Sequence, residues 1–157
     1  MNARFAISPI ALDDAQFRDL LELHLAAMHR NSPPGSVFAL DLTGLSGPEL
    51  TLLGAWTRDG RLAAMGALKR LAGGLGEIKS MRTHPDLLRQ GAAAALLDAI
   101  IAIARGEGID RLSLETGSGP AFEAALTLYR KRGFTNGEAF ADYIGSPFNQ
   151  FLHLDLR

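Results

Sequence analysis

The run Thr83-His84-Pro85-Asp86-Leu87-Leu88-Arg89-Gln90-Gly91-Ala92-Ala93-Ala94 carries the clearest chemistry in the chain. It reads as a strand end, a turn and a helix start with no bulky side chain at the helix mouth. The first four amides of a helix lack internal partners and its dipole is positive at that end, so the N–H groups of residues 89–94 can hold a diphosphate. Gly91 and the alanines permit close approach, and the Arg89 guanidinium favours a pyrophosphate over a neutral ligand. The same residues also suit a structural role, with Gly91 allowing the turn and the alanines packing on a sheet. Two other phosphate cradles are missing: no G-x-x-x-x-G-K-[ST] occurs, and no G-x-G-x-x-G follows a first strand. A P-loop nucleotidase and a dinucleotide-binding fold are therefore disfavoured.

Just upstream, Gly76-Glu77-Ile78-Lys79-Ser80-Met81-Arg82-Thr83 has the length of a strand and an unusual load of ionisable side chains. Strict alternation sets Glu77 and Lys79 against Ser80 and Arg82. That pattern fits a strand bordering a polar cavity, and equally an exposed edge strand dressed in charge. The chain has no cysteine, hence no disulfide, thiolate metal site or Cys nucleophile. His24, His29, His84 and His153 form no i, i+4 pair, so no metal is expected.

The elements that must position these groups follow from periodicity. An alternation around Phe5 and Ile7 reads as a strand, and Asp13 with Gln16 as a capping box. Phe17, Leu20, Leu21, His24, Leu25 and Met28 then mark a helix that stops at Asn31-Ser32-Pro33-Pro34-Gly35, with His24 packing. Residues 36–47 give no assignment. Residues 50–56 and 62–68 flank Asp59-Gly60 as a hairpin. Residues 91–106, almost wholly Ala, Leu and Ile, predict a buried helix. Residues 110–116 predict a strand with Leu112 and Leu114 inward. Pro120 then opens a helix ended by Gly133 at the C-cap, and residues 148–156 a final strand with Leu152, Leu154 and Leu156 on one face. This order indicates one mixed α/β domain over residues 1–157.

The stretch from Glu77 to Phe134 resembles the core of the GNAT acetyltransferase superfamily. The family's cofactor signature, [QR]-x-x-G-x-[GA], falls on Leu88-Arg89-Gln90-Gly91-Ala92-Ala93, with Gly91 and Ala93 fitting and Leu88 departing. A second marker, L-Y-x-x-x-G-F, is matched in full by Leu128-Tyr129-Arg130-Lys131-Arg132-Gly133-Phe134; the Asn often found upstream of that Tyr is Phe122 here. Leu112-Ser113-Leu114-Glu115-Thr116-Gly117-Ser118-Gly119, with Ala141-Asp142-Tyr143, is similar to a bacterial subgroup described only as acetyltransferases. The resemblance implies a single-domain α/β GNAT fold: a mixed, mostly antiparallel twisted sheet with a splayed parallel strand pair, flanked by about four helices.

It also implies acetyl transfer from acetyl-CoA to an amine by direct attack. Met81, Arg82 and Thr83 would supply main-chain contacts to the pantetheine arm, and Arg89, Gln90, Gly91, Ala92, Ala93 and Ala94 would hold the pyrophosphate. Tyr129 would stand near the sulfur as proton donor, although a Tyr at helical spacing from Phe122 and Ala125 also suits ordinary core. Glu77 and Glu115, on neighbouring strands, are candidate bases, or else ion-pair partners of Lys79, Arg82 or Arg111. Arg82 would hold an acceptor carboxylate, or pair internally with Glu115. His29, Ser32 and Tyr143 are further acceptor-side candidates, though a His near a helix C-terminus is also favoured by the dipole alone.

The charges nearly cancel, 16 Lys plus Arg against 17 Asp plus Glu, and are scattered, so neither nucleic acid nor membrane is an expected partner. A small-molecule amine is the expected acceptor. The alternatives are N-terminal acetylation of a peptide or protein, and a non-catalytic acyl-CoA-binding regulatory module. Residues 1–10 lack a signal peptide's basic start and apolar core, and no apolar run reaches spanning length, so a cytoplasmic location is expected. The alternating tail and residues 38–45 suit a homodimer face.

Overall fold

The computed structural model describes residues 4–157, and seven strands form one sheet in the order β1-β2-β3-β4-β5-β7-β6. The strands are β1 (Ala6–Pro9), β2 (Leu50–Trp56), β3 (Leu62–Arg70), β4 (Leu75–Thr83), β5 (Arg111–Thr116), β6 (Thr135–Gly137) and β7 (Gln150–Asp155). Every neighbouring pair is antiparallel except β4 and β5, which run parallel. Asp59-Gly60 makes the expected hairpin between β2 and β3, with Gly60 in the left-handed region at φ +86°.

The helices are α1 (Ala15–Asn31), α2 (Ala92–Gly106) and α3 (Glu123–Lys131). Phe17, Leu20 and Leu21 of α1 close a core on one sheet face against Leu52, Leu62 and Met65. On the other face Leu96, Leu97 and Ile100 of α2 pack with Leu68, Ile78 and Leu112, joined by Leu126 and Tyr129 of α3. Removing these side chains from water, at about 25 cal/mol per Å², is the main force fixing both helix layers to the sheet. Among the described residues three α-helices form where about four were expected. Pro33, Pro34, Gly35 and Gly47 leave residues 33–48 with only a 3-10 turn at Gly44–Ser46, and Pro120 opens a second such turn at Pro120–Phe122 ahead of α3.

The α1 cap departs from expectation, and one short strand was not foreseen. The α1 cap is Asp14, whose carboxylate accepts from Phe17 N at 2.9 Å. Gln16 instead ties α1 to the hairpin, donating to Gly60 O at 2.9 Å and accepting from Leu62 N at 2.8 Å. In β7 Leu152 and Leu154, with Leu156 just beyond it, pack on one face as expected, and Phe151 and His153 are buried on the other. β6, Thr-Asn-Gly, has no apolar residue to announce it and is held by pairing with β7.

The α3 terminus explains the Tyr-x-x-x-Gly-Phe spacing. Phe134 N donates to Tyr129 O at 3.2 Å and Gly133 N to Arg130 O at 3.0 Å, which is a Schellman motif. Gly133 sits at φ +95° in its left-handed position. The motif's hydrophobic contact is Tyr129 against Phe134, with ring centroids 5.7 Å apart. One cap therefore sets both the helix end and the seat of the tyrosine ring. Gly133→Ala forces a β-carbon into that conformation, 3.3 Å from Leu154 Cδ1, and is expected to cost about 1–2 kcal/mol in urea unfolding.

Candidate active site

β4 and β5 pair only at Leu75↔Arg111, Gly76↔Leu112 and Glu77↔Ser113. Beyond Glu77 they part, although β4 stays bonded to β3 as far as Thr83 and β5 to β7 as far as Thr116. Each strand is thus anchored on its outer edge and open on its inner one. The opening is a cleft of about 140 Å³ walled by β4, Leu114, Glu115 and Thr116 of β5, Phe122 and Tyr129 beside it, and the C-terminal half of α1.

A bulge in β4 decides what faces this cleft. Met65 pairs with Arg82 and Ala67 with Lys79, so two steps on β3 match three on β4. Ser80 absorbs the extra residue at φ +59°. Met65 and Ala67 share a face, so Lys79 and Arg82 do too. The alternation expected from the sequence, with Glu77 and Lys79 opposite Arg82, is therefore reset, and all three charged side chains lie on the α1 side. Met81 turns the other way, over Gly66, where any β-carbon would collide with its sulfur.

At the fork, Glu77 is buried and paired with Lys79 Nζ at 3.2 Å. Tyr143 closes this cluster, donating to Glu77 Oε2 and accepting from Lys79 Nζ at 2.6 Å. Burial and the hydrogen bond to Glu77 push the Tyr143 phenol far above its ordinary range. Its ring stacks edge-on against Phe38 at 5.3 Å. Glu115 is different. Burial lifts its carboxyl to about 7, with Glu77 adding to the rise and Lys79 and an Asn149 hydrogen bond opposing it. Arg111 is engaged by Asp155 at 2.6 Å, leaving neither candidate carboxylate to it.

Arg82 does not pair with Glu115. Its Nε donates to His24 Nδ1 at 3.0 Å, and His24, buried in α1, has its pKa drawn down to about 3 by burial and then by the Arg82 charge. His24 thus does more than pack. Tyr129 is buried at the cleft wall, and burial pushes its phenol well above the ordinary value, with Arg82 pulling the other way.

The turn after β4 keeps its amides open. Gly91 is the α2 N-cap at φ +90°, with no side-chain cap, and Arg89 precedes it at φ +61°. Among the described residues, no protein oxygen accepts from the amides of residues 89–94; the first closed bond is Ala95 N to Gly91 O at 3.0 Å. Leu87 is buried beneath the turn and His84 Nδ1 accepts from Asp86 N at 3.0 Å, so the loop is held from below. Leu88 is 55% exposed, so its departure from the signature disturbs no core. The Gln90 side chain accepts from Arg4 at 3.1 Å.

The structure therefore gathers Glu77, Met81, Arg82, Glu115 and Tyr129 at one cleft, with Tyr143 bonded to Glu77 and Lys79 beside it. His29 and Ser32 lie apart, in a hollow with Pro33, Pro34, Gly35 and Val37. Lys79 is the ion-pair partner of Glu77 that the sequence allowed. His24 and Phe38 escaped the sequence reading, because His24 offered only a polar side chain inside an apolar helical stripe and Phe38 lay in a segment without pattern.

The sequence profile described as the Acetyltransferase (GNAT) family matches residues 17–134. The chain is 47% identical over 146 residues to the uncharacterized N-acetyltransferase YsnE of Bacillus subtilis (strain 168), covering 91% of this chain and 96% of that protein. A crystal structure of an acyl-CoA N-acyltransferase from Klebsiella pneumoniae superposes with a TM-score of 0.79 at 29% identity, covering 99% of this chain and all (100%) of that one. A Bacillus subtilis acetyltransferase solved in complex with CoA has a TM-score of 0.72 at 22% identity, over 98% and 100% of the two chains. With the profile spanning most of its length, this chain belongs to the GNAT family and is an acyl-CoA-dependent acetyltransferase.

Proposed function

We propose that this enzyme transfers the acetyl group of acetyl-CoA to the amine of a small-molecule acceptor by direct attack. The observation that carries this reading is the open inner edge of β4 leading into uncapped amides at residues 89–94. Acetyl-CoA supplies the activated thioester, and the residues suit it. The β4 edge at Met81, Arg82 and Thr83 offers backbone partners to an extended amide-bearing arm, and the α2 N-terminus with Arg89 offers donors to a pyrophosphate. A neighbour of the same fold was solved in complex with CoA, which supports CoA as the group bound.

The transfer joins the amine nitrogen to the thioester carbon as the C–S bond breaks. One proton must leave nitrogen and one must reach sulfur. Glu115 is the group suited to the first, since a carboxyl near 7 is ionised at working pH yet basic enough to take a proton directly or through water. Glu77 is already committed to Lys79 and Tyr143, and serves to hold Lys79 beside Glu115. Tyr129 suits the second task, because a phenol with a raised pKa stays protonated until a thiolate forms. The small cleft, roofed by Phe38 and Ala39, favours a compact acceptor over an extended peptide.

Two outcomes are expected. Tyr129→Phe should lower kcat by roughly 10²–10⁴-fold, with acetyl-CoA affinity by calorimetry unchanged; turnover equal to wild type would remove Tyr129 from the chemistry. Because the base works ionised, kcat/KM should rise as pH increases through about 7 and level above it, ahead of any rise due to the acceptor ammonium. Glu115→Gln should abolish that inflection, and a profile that keeps it would transfer the role to another group.

A further inference from the structure

Arg82 brings a positive charge to the cleft that no carboxylate answers. Among the described residues its guanidinium has one protein partner, the neutral ring of His24, reached from Nε at 3.0 Å. An imidazole with an unprotonated Nδ1 fixes the guanidinium plane without cancelling its charge. Arg30, exposed on the last turn of α1, adds a second positive charge; after burial it is the chief influence depressing Arg82's pKa. A half-buried cation with a like charge beside it is costly until an anion joins it. With Nε committed to His24, the free Nη1/Nη2 edge is left, and its spacing matches the two oxygens of a carboxylate.

Three features say which molecule brings that carboxylate. The pyrophosphate donors lie at the α2 N-terminus, whereas the bulge turns Arg82 to the α1 face. Glu115 lies on that same face: Glu77↔Ser113 pairing sets it level with Lys79. Since the bulge makes Lys79 to Arg82 span two steps of β3, Glu115 is roughly 7 Å of strand rise from Arg82, a gap that the two side chains and a short bifunctional molecule can bridge. The cleft, about 140 Å³, has room for such a molecule. We infer that the Arg82 Nη edge, oriented by His24 and reinforced by Arg30, is a subsite for a carboxylate on the acceptor, so that the acceptors are amino acids or closely related amino-carboxylates. The inference rests on the amine-acetylation reading and adds the substrate class to it.

The test is thiol release from acetyl-CoA with L-amino acids, each paired with its own carboxamide. Wild type should favour the acid by roughly 10–100-fold in kcat/KM, carried mainly by KM. Arg82→Gln should bring the ratio close to one. Arg30→Gln, at an exposed position that poses no threat to folding, should reduce the ratio in part. Calorimetry of the same pairs on the enzyme–CoA complex reads the subsite without turnover, and the acid should bind more tightly in wild type but not in Arg82→Gln.

Equal use of acid and amide by wild type would overturn the inference while leaving the transferase reading intact. An Arg82→Gln loss shared equally by both acceptors would do the same. Succinyl-CoA supplies the other source of a carboxylate: a wild-type preference for it over acetyl-CoA that vanishes in Arg82→Gln would assign the subsite to the donor and overturn the acceptor assignment. Absence of thiol release with every amine, neutral ones included, is the failure of the amine-acetylation reading, and the calorimetric pairs would then decide the subsite alone.

Discussion

The structure turns on hydrogen bonds that β4 and β5 do not make. Parallel strands joined by a helix normally zip along their shared length, and an unpaired backbone edge inside a protein is costly. Here the zip stops at Glu77. The outer edges stay bonded to β3 and β7, so the opening is held from outside and cannot drift. Inside, Glu77 and Lys79 sit at the fork as a buried ion pair locked by Tyr143, where zipping further would require moving charges already desolvated and matched. Phe122, at the end of the 3-10 turn, and Tyr129 of α3 fill the side. The cleft is thus a consequence of packing around it.

Within that opening the charges are distributed unevenly. Lys79 and Glu77 largely satisfy each other, and what they leave to Glu115 is a balance of opposing influences on a buried carboxyl. Arg82 is oriented by a neutral partner and keeps its charge. One part of the cleft therefore holds a group that can accept a proton, and another a fixed cation. Neither would result from the simplest outcome for these residue types, an Arg82–Glu115 ion pair, which would have neutralised both.

Much of this was legible in the chain. Asp59-Gly60 announced its hairpin, the Ala, Leu and Ile run of α2 its burial, and Tyr129 with Gly133 and Phe134 a helix end whose spacing the Schellman bonds now explain. The uncapped amides at residues 89–94 followed from composition as well, since small residues ahead of an apolar helix leave nothing to cap it. What could not be read was parity. A one-residue bulge at Ser80 moves Arg82 across the sheet, and period-two reasoning has no term for it. Three-residue β6, with no hydrophobic signature, exists only through its partner. Phe38 reaches Tyr143 across the fold from a segment lacking any period, and His29 and Ser32, close in sequence to the cleft wall at Asn31, point into a different hollow.

The bulge also explains how one strand can serve two ligands. In a sheet, backbone polar groups lie in the plane and side chains stand perpendicular to it, so a splayed strand can offer its main chain to a molecule lying in the gap and its side chains to another above it. Without the bulge, Arg82 would point into the apolar layer packed by Leu96 and Ile100, where its charge has no partner, and the run of charged side chains on the α1 face would end at Lys79. With it, Met81 takes the apolar position, in space that Gly66 leaves free, and Arg82 joins the polar side next to His24. A single left-handed residue at Ser80 thereby separates the apolar core, the open strand edge and a polar side-chain face, three surfaces that a regular strand would not set side by side.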